Sequence, residues 1–296
     1  MIFIDGVGIG KNDPEINPFI KYGFKTFEKI FGTIPTDKNP EIQKDNYFLF
    51  PTDACMGIEG LPQSGTGQTS IFCGFNASEF VGKHFGPYPY STLVPLIKEK
   101  NIFIELIKRK KKVFFVNAYP KVFFEYINSG KKRLSVTSLS CMLSGMKLNK
   151  AAEVRKGDAL TAEITNERWN KKLGYKLKTI IPETAGKRLI KIALRNDFTL
   201  YEYFLTDHLG HGRYDEDFLK TFREIDELLF TVLTEVKGKN ITLIICSDHG
   251  NIEDLSVKTH TLNPALTISA GVYSDILRKK ITSLYHIKPA VLSIIK

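Results

Sequence analysis

Cysteine is scarce in this chain of 296 residues, and Cys55, Cys73, Cys141 and Cys246 are widely spaced with no C-x-x-C pair. That pattern argues against a disulfide framework or a thiolate metal site and reads as reduced core thiols in a cytoplasmic protein. Long apolar runs are also missing. Stretches such as Ile241 to Cys246 are about one strand long, far below the roughly 18 residues of a membrane span, so no membrane partner is expected. Met1-Ile2-Phe3-Ile4 runs straight into Asp5, which leaves no room for a signal peptide. No repeat or low-complexity segment is present. Aromatic residues are not interleaved with positive charge as a base-stacking surface requires, which argues against nucleic acid as a partner.

The hydrophobic content of 43% supports a full core, read as one large α/β domain carrying a smaller insertion. The net charge of +10 is unevenly spread: between Lys98 and Lys178 there are 20 Lys/Arg against 7 Asp/Glu, so the remainder is slightly acidic. Most of these lysines fit solvated helix faces, as at Arg109 to Lys112, where positive charge complements a helix C-terminus. As a group they also form a basic cover able to draw in an anionic substrate.

Short buried strands are expected at Ile2 to Ile4, Tyr47 to Phe50, Val113 to Val116, Thr199 to Leu205, Ile241 to Cys246 and Ala265 to Ala270. Helical spacing is expected over Asn17 to Phe31, Thr69 to Phe75, Ser91 to Lys110, Glu183 to Arg195, Asp217 to Val236 and Ile287 to Ile295. Strands alternating with helices predict an α/β fold, a mainly parallel sheet with helices on both faces. The more polar, helical 119–182 segment reads as a small inserted basic lid, with 1–118 and 183–296 forming the core.

Four short segments at or just after apolar runs hold seven good metal ligands: Asp5, Thr69, Asp207, His211, Asp248, His249 and His260. Strands of an α/β sheet deliver such residues to one common edge. Carboxylate and imidazole mix readily around zinc or manganese, so the set suits two divalent cations. Three aspartates against +4 leave about +1, which an arriving phosphate would neutralise. Thr69, after Gly65 and Gly67, is the candidate nucleophile, because a glycine-rich loop entering a helix favours an oxyanion and a cation can deprotonate an alcohol. His208 reads as a bystander. Asn117, after a buried strand, and Arg133, Arg155 and Arg168 in the lid are candidate substrate-binding residues.

The chain resembles the alkaline phosphatase superfamily, on the branch of cofactor-independent phosphoglycerate mutases and phosphopentomutases. The resemblance rests on Gly60-Leu61-Pro62 with Gly67-Gln68-Thr69, on Asp248-His249-Gly250-Asn251 with Glu253, and on His260-Thr261-Leu262-Asn263-Pro264. It implies an alkaline-phosphatase-like core in which Asp5, Thr69, Asp248 and His249 hold one cation and Asp207, His211 and His260 the other. Thr69 stands where the mutases use serine, and the insertion is much shorter than theirs. The implied activity is a phosphohydrolase or phosphomutase working through phospho-Thr69 on a small phosphorylated metabolite. The alternatives are a phosphodiester, phosphonate or sulfate hydrolase on the same scaffold, or a catalytically idle metal-binding protein. A threonine nucleophile argues against the sulfatase option.

Overall fold

The computed structural model describes residues 1–131, 133–213 and 217–295. Nine strands run in chain order as β1 (Ile2–Ile4), β2 (Ile42–Lys44), β3 (Tyr47–Thr52), β4 (Val113–Phe115), β5 (Asn117–Ala118), β6 (Leu160–Thr161), β7 (Phe198–Tyr203), β8 (Thr242–Cys246) and β9 (Ala265–Gly271). The main sheet has the order β2-β3-β9-β8-β1-β7-β4. Its β8-β1-β7-β4 half is parallel, while β9, β3 and β2 extend it antiparallel.

Side-chain alternation along the strands separates two apolar layers. Ile2, Ile4, Leu243 and Ile245 pack into one, with the helices Pro182–Ala193 and Phe218–Val236. Phe3, Ile244 and Cys246 pack into the other, with Ser64–Cys73, Leu93–Lys100 and Ile287–Ile294. Helices therefore cover both faces, as the alternating pattern predicts. No helix of the described residues is long and apolar enough to cross a membrane.

Three local expectations change. The apolar run from Asn17 to Phe31 is not one helix: it splits into Pro18–Tyr22 and a π-helical turn Phe27–Phe31, because Gly23 takes φ +67° between them. The helix expected from Thr69 begins five residues earlier, as Ser64–Cys73. The 119–182 segment is not one separate unit. Its helix Val136–Leu143 buries Val136 and Cys141 in the main core, and only Ala118, Val154, Ala159, Trp169 and Leu177 form a small core apart.

The parallel strands β1, β7 and β8 all end at one edge, and β9, running the opposite way, begins there. The Ser64 helix starts at the same edge, wedged beneath the loop at 85–88. Thr66 N donates to Phe85 O at 2.9 Å, and Phe85 N donates to Thr66 Oγ1 at 3.2 Å. A Cβ on Gly65 would press on the carbonyl oxygen of Tyr88 and lie 2.6 Å from that of Phe85. Gly65→Ala should therefore cost about 1–3 kcal/mol through forced displacement of this packed loop, read as a lowered thermal midpoint. An unchanged midpoint would show that the loop yields freely.

Candidate metal centre

Asp5 leaves the end of β1, Asp207 follows β7 in the one-and-a-half-turn helix Leu205–Gly210, and Asp248 with His249 follow β8. His260 arrives just ahead of β9. Strand polarity thus brings to one edge residues that are up to 255 positions apart in the chain. Two groups result: Asp5, Asp248 and His249, and Asp207, His211 and His260, with the ligand atoms of each group within 4.8 Å of one another. In the second, Asp207 Oδ1 lies 3.3 Å from His211 Nε2 and 3.5 Å from His260 Nε2. In the first, His249 Nε2 lies 3.3 Å from Asp5 Oδ1 and 3.6 Å from Asp248 Oδ2. The rings of His249 and His260 stack at 3.7 Å, so the two groups adjoin.

The imidazoles are prepared as ligands. His211 Nδ1 faces the carbonyl of Lys258 at 2.8 Å, His260 Nδ1 that of Pro62 at 2.6 Å, and His249 Nδ1 that of Gly250 at 3.3 Å. A carbonyl only accepts, so each Nδ1 carries the proton and each Nε2 presents a lone pair to the centre. His211 Nε2 and His260 Nε2 then face each other at 3.2 Å, an arrangement that a shared cation satisfies. Asp5 Oδ1 is buried without a hydrogen-bond partner. Burial, together with the carboxylates of Asp248 and Asp207, pushes the Asp5 carboxyl well above the usual range. Burial acts the same way on Asp207, but without a cation His211 and His260 can take protons at Nε2 and donate to it, which outweighs burial and holds it below the usual range. The same Asp207 contact raises His211. Orphaned acceptors, facing lone pairs and crowded carboxylates all fit two divalent cations.

Thr69 does not join them. It sits more than a turn inside the Ser64–Cys73 helix, fully buried, and its hydroxyl donates to Gly65 O at 2.7 Å. The hydroxyl at the centre belongs to Ser64, whose Oγ lies 3.1 Å from His249 Nε2. Ser64 and Gln68 are four apart and share a helix face, while Thr69 is turned about 100° away.

The substrate-binding candidates fare differently. Asn117 is buried and structural: its amide donates to Glu202 O at 2.8 Å and accepts from Glu202 N at 2.8 Å, extending the sheet. Arg133 is exposed, and nothing places it at the centre. Arg155 lines an open groove of about 600 Å³ in the lid with Lys121, Tyr175 and Lys176. Arg168 lies close enough to His208 to act on its charge, as does Arg213, which sequence reasoning missed. His208 itself packs against Phe204 at 5.4 Å, consistent with a bystander.

Glu253 enters the sequence reading only as part of a motif, and Glu202 was missed. Glu253 Oε2 accepts from Gly8 N and Asn251 N, both at 2.8 Å, while Oε1 accepts from Thr261 Oγ1 at 2.5 Å and Asn263 Nδ2 at 3.0 Å. Glu202 is fully buried beneath the centre and accepts from Thr137 Oγ1 at 2.5 Å, and its pKa is pushed up to about 7 mainly by burial.

Residues 162–296 match the family model described as the Metalloenzyme superfamily. The chain is 31% identical over 129 residues to the 2,3-bisphosphoglycerate-independent phosphoglycerate mutase of Ehrlichia canis (strain Jake), a match covering 39% of this chain. It spans only 26% of that mutase's length. The fold is similar to alkaline phosphatase from the Antarctic bacterium TAB5, with TM-score 0.53 at 13% identity, covering 99% of this chain and 96% of that one. A cold-active alkaline phosphatase from Shewanella sp. gives TM-score 0.54 at 11% identity, covering 100% and 99%. The C-terminal part is thus similar to Metalloenzyme-superfamily sequence, and the fold is similar to that of alkaline phosphatases. A family of this kind implies divalent metal ions, in keeping with the donor set described above.

Two outcomes follow from this geometry. Glu253→Gln turns an NH2 group either against the amides of Gly8 and Asn251 or against Thr261 Oγ1 and Asn263 Nδ2, and should cost about 3–5 kcal/mol, as for a broken buried charged network. Denaturant unfolding should show that loss, together with weakened binding of both metals; a variant with normal stability would refute the bracing role. In chelator-treated protein, Glu202 favours the fold while neutral, so its contribution is intact below about pH 4.5 and lost as pH rises through about 7. Glu202→Gln should remove up to about 3 kcal/mol of that decline, seen as a flatter profile of stability between pH 5 and 8.

Proposed function

We propose that this protein is a two-metal phosphoryl-transfer enzyme, a phosphohydrolase or phosphomutase acting on a small phosphorylated metabolite, with Ser64 as its nucleophile. The observation that carries this is the Ser64 hydroxyl, set 3.1 Å from His249 Nε2 at the mouth of a ligand cluster. Two divalent cations, zinc or manganese, held by Asp5, Asp248 and His249 and by Asp207, His211 and His260, would supply the positive charge that lowers the serine pKa and neutralises phosphoryl oxygens.

Ser64 sits at the first turn of its helix, where the dipole favours a phosphate. Its Oγ attacks phosphorus, the bond to the leaving oxygen breaks, and phosphoserine forms. Water or a substrate hydroxyl then takes the phosphoryl group. The basic 119–182 segment, with Arg155 and Arg168, would hold the remainder of the substrate and limit water access, and that access sets hydrolase against mutase. Because the hydroxyl of Thr69 is occupied and serine takes its place, residue type no longer speaks against a sulfate-ester hydrolase. Phosphate is favoured by the similarity to mutase sequence. A phosphorylated metabolite would place the protein in the cytoplasm, with neither membrane nor nucleic acid as partner.

Ser64→Ala should retain two metals per chain by elemental analysis yet lose turnover of an aryl phosphate by about 10⁴ or more. Thr69→Val should stay active. Acid quenching followed by mass spectrometry should find the phosphoryl group on Ser64. A phosphoryl group on Thr69, or an active Ser64→Ala, would overturn the assignment of the nucleophile, and metal-free folded protein would overturn the whole proposal.

A further inference from the structure

Gln68 lies one turn after Ser64 on the same face of its helix and is 2% exposed. Its Nε2 is 3.3 Å from Asp5 Oδ2 and 3.3 Å from Asp248 Oδ2, so one amide group donates to both carboxylates of the first metal group. The reverse orientation would turn Oε1 against two acidic oxygens, so the chemistry of the neighbours fixes the amide nitrogen inward. The bond to Oδ2 leaves Asp5 Oδ1, the atom 3.3 Å from His249 Nε2, without a hydrogen-bond partner. The Asp5 carboxylate is thus divided, one oxygen tied to the helix and the other turned to His249, whereas in Asp248 the Oδ2 that faces His249 Nε2 at 3.6 Å also takes the Gln68 bond and Oδ1 faces Gly6 N at 3.4 Å.

The helix has little freedom to move away from this contact. A Cβ on Gly67 would lie 3.1 Å from Asp248 Cβ, so backbone and ligand already touch. Asp5 and Asp248 are buried side by side, so two acidic groups face each other with little water between them. A shared neutral donor offsets part of that repulsion without adding negative charge that would oppose an arriving phosphate.

We propose that Gln68 is a positioning residue that orients the carboxylates of Asp5 and Asp248 toward the cation they share with His249, and so fixes where Ser64 meets that charge. This rests on the two-cation reading above. Substitution of groups that orient metal ligands typically lowers metal affinity ten- to hundredfold, and here the loss is confined to one of two sites.

The experiment is titration of chelator-treated protein with Mn²⁺, followed by equilibrium dialysis with elemental analysis, and with Co²⁺, followed by its visible absorption. The wild type should take two ions. Gln68→Met, which keeps length and removes the donors, should weaken one site ten- to hundredfold and leave the other unchanged, with an unaltered far-ultraviolet spectrum. Gln68→His, which restores a ring N–H at similar reach, should recover affinity to within a few-fold. Wild-type affinity at both sites in Gln68→Met would overturn the inference while leaving the two-cation reading standing. A Gln68→His protein with one site weakened tenfold or more would also overturn it, and this measurement against the wild type decides the matter if Gln68→Met fails to fold. A wild type that binds no Mn²⁺ would overturn both.

Discussion

The carboxylate of Glu253 is the interaction on which the centre depends. With no exposed surface of its own, it gathers donors from three segments: Gly8 after β1, Asn251 after β8, and Thr261 with Asn263 ahead of β9. These are the segments that carry Asp5, Asp248 with His249, and His260. Both oxygens are doubly bonded, so the loops are fixed relative to one another before any cation binds. Gly8 and Gly250 serve the same junction, since a Cβ on either would strike the Glu253 carboxylate. Asn251 extends the bracing to the next strand by donating to Asp207 Oδ1 at 2.7 Å.

Around that brace, the polarity of the sheet decides what reaches the edge. Parallel β1, β7 and β8 deliver residues that follow them, and antiparallel β9 delivers a residue that precedes it. A wholly parallel sheet would leave His260 at the far edge, away from Asp207. The three imidazoles spend Nδ1 on backbone carbonyls and converge through Nε2, so the main chain sets ring orientation as well as position. The electrostatic consequence is a centre with more negative charge than its surroundings can neutralise, which raises Asp5 while Asp207 draws on His211 and His260.

The segment between the two halves of the core is less a detached lid than its polarity implies. Val136–Leu143 is built into the main apolar layer beside the Ser64 helix, and Thr137 reaches Glu202 beneath the centre. Only the residues around Val154 and Trp169 have a core of their own.

The sequence by itself determined the fold class, six of the nine strands of the described residues and six of the residues that the structure gathers into the two groups, because apolar runs of strand length ending in Asp or His are local patterns. The resemblance divides those six into the same two clusters that the structure brings together. Helix phase was not legible. A glycine-rich run gives no apolar periodicity, so nothing in Ser64-Gly65-Thr66-Gly67-Gln68-Thr69 tells which hydroxyl faces outward. Folding starts the helix at Ser64, turns Thr69 onto its own backbone, and brings Ser64 and Gln68 to the ligands. Asn117 reads from sequence as a site residue, yet it closes a backbone ladder with Glu202. The roles of Glu253, Glu202 and Gln68 depend on partners from distant strands and on burial, which only the tertiary structure sets.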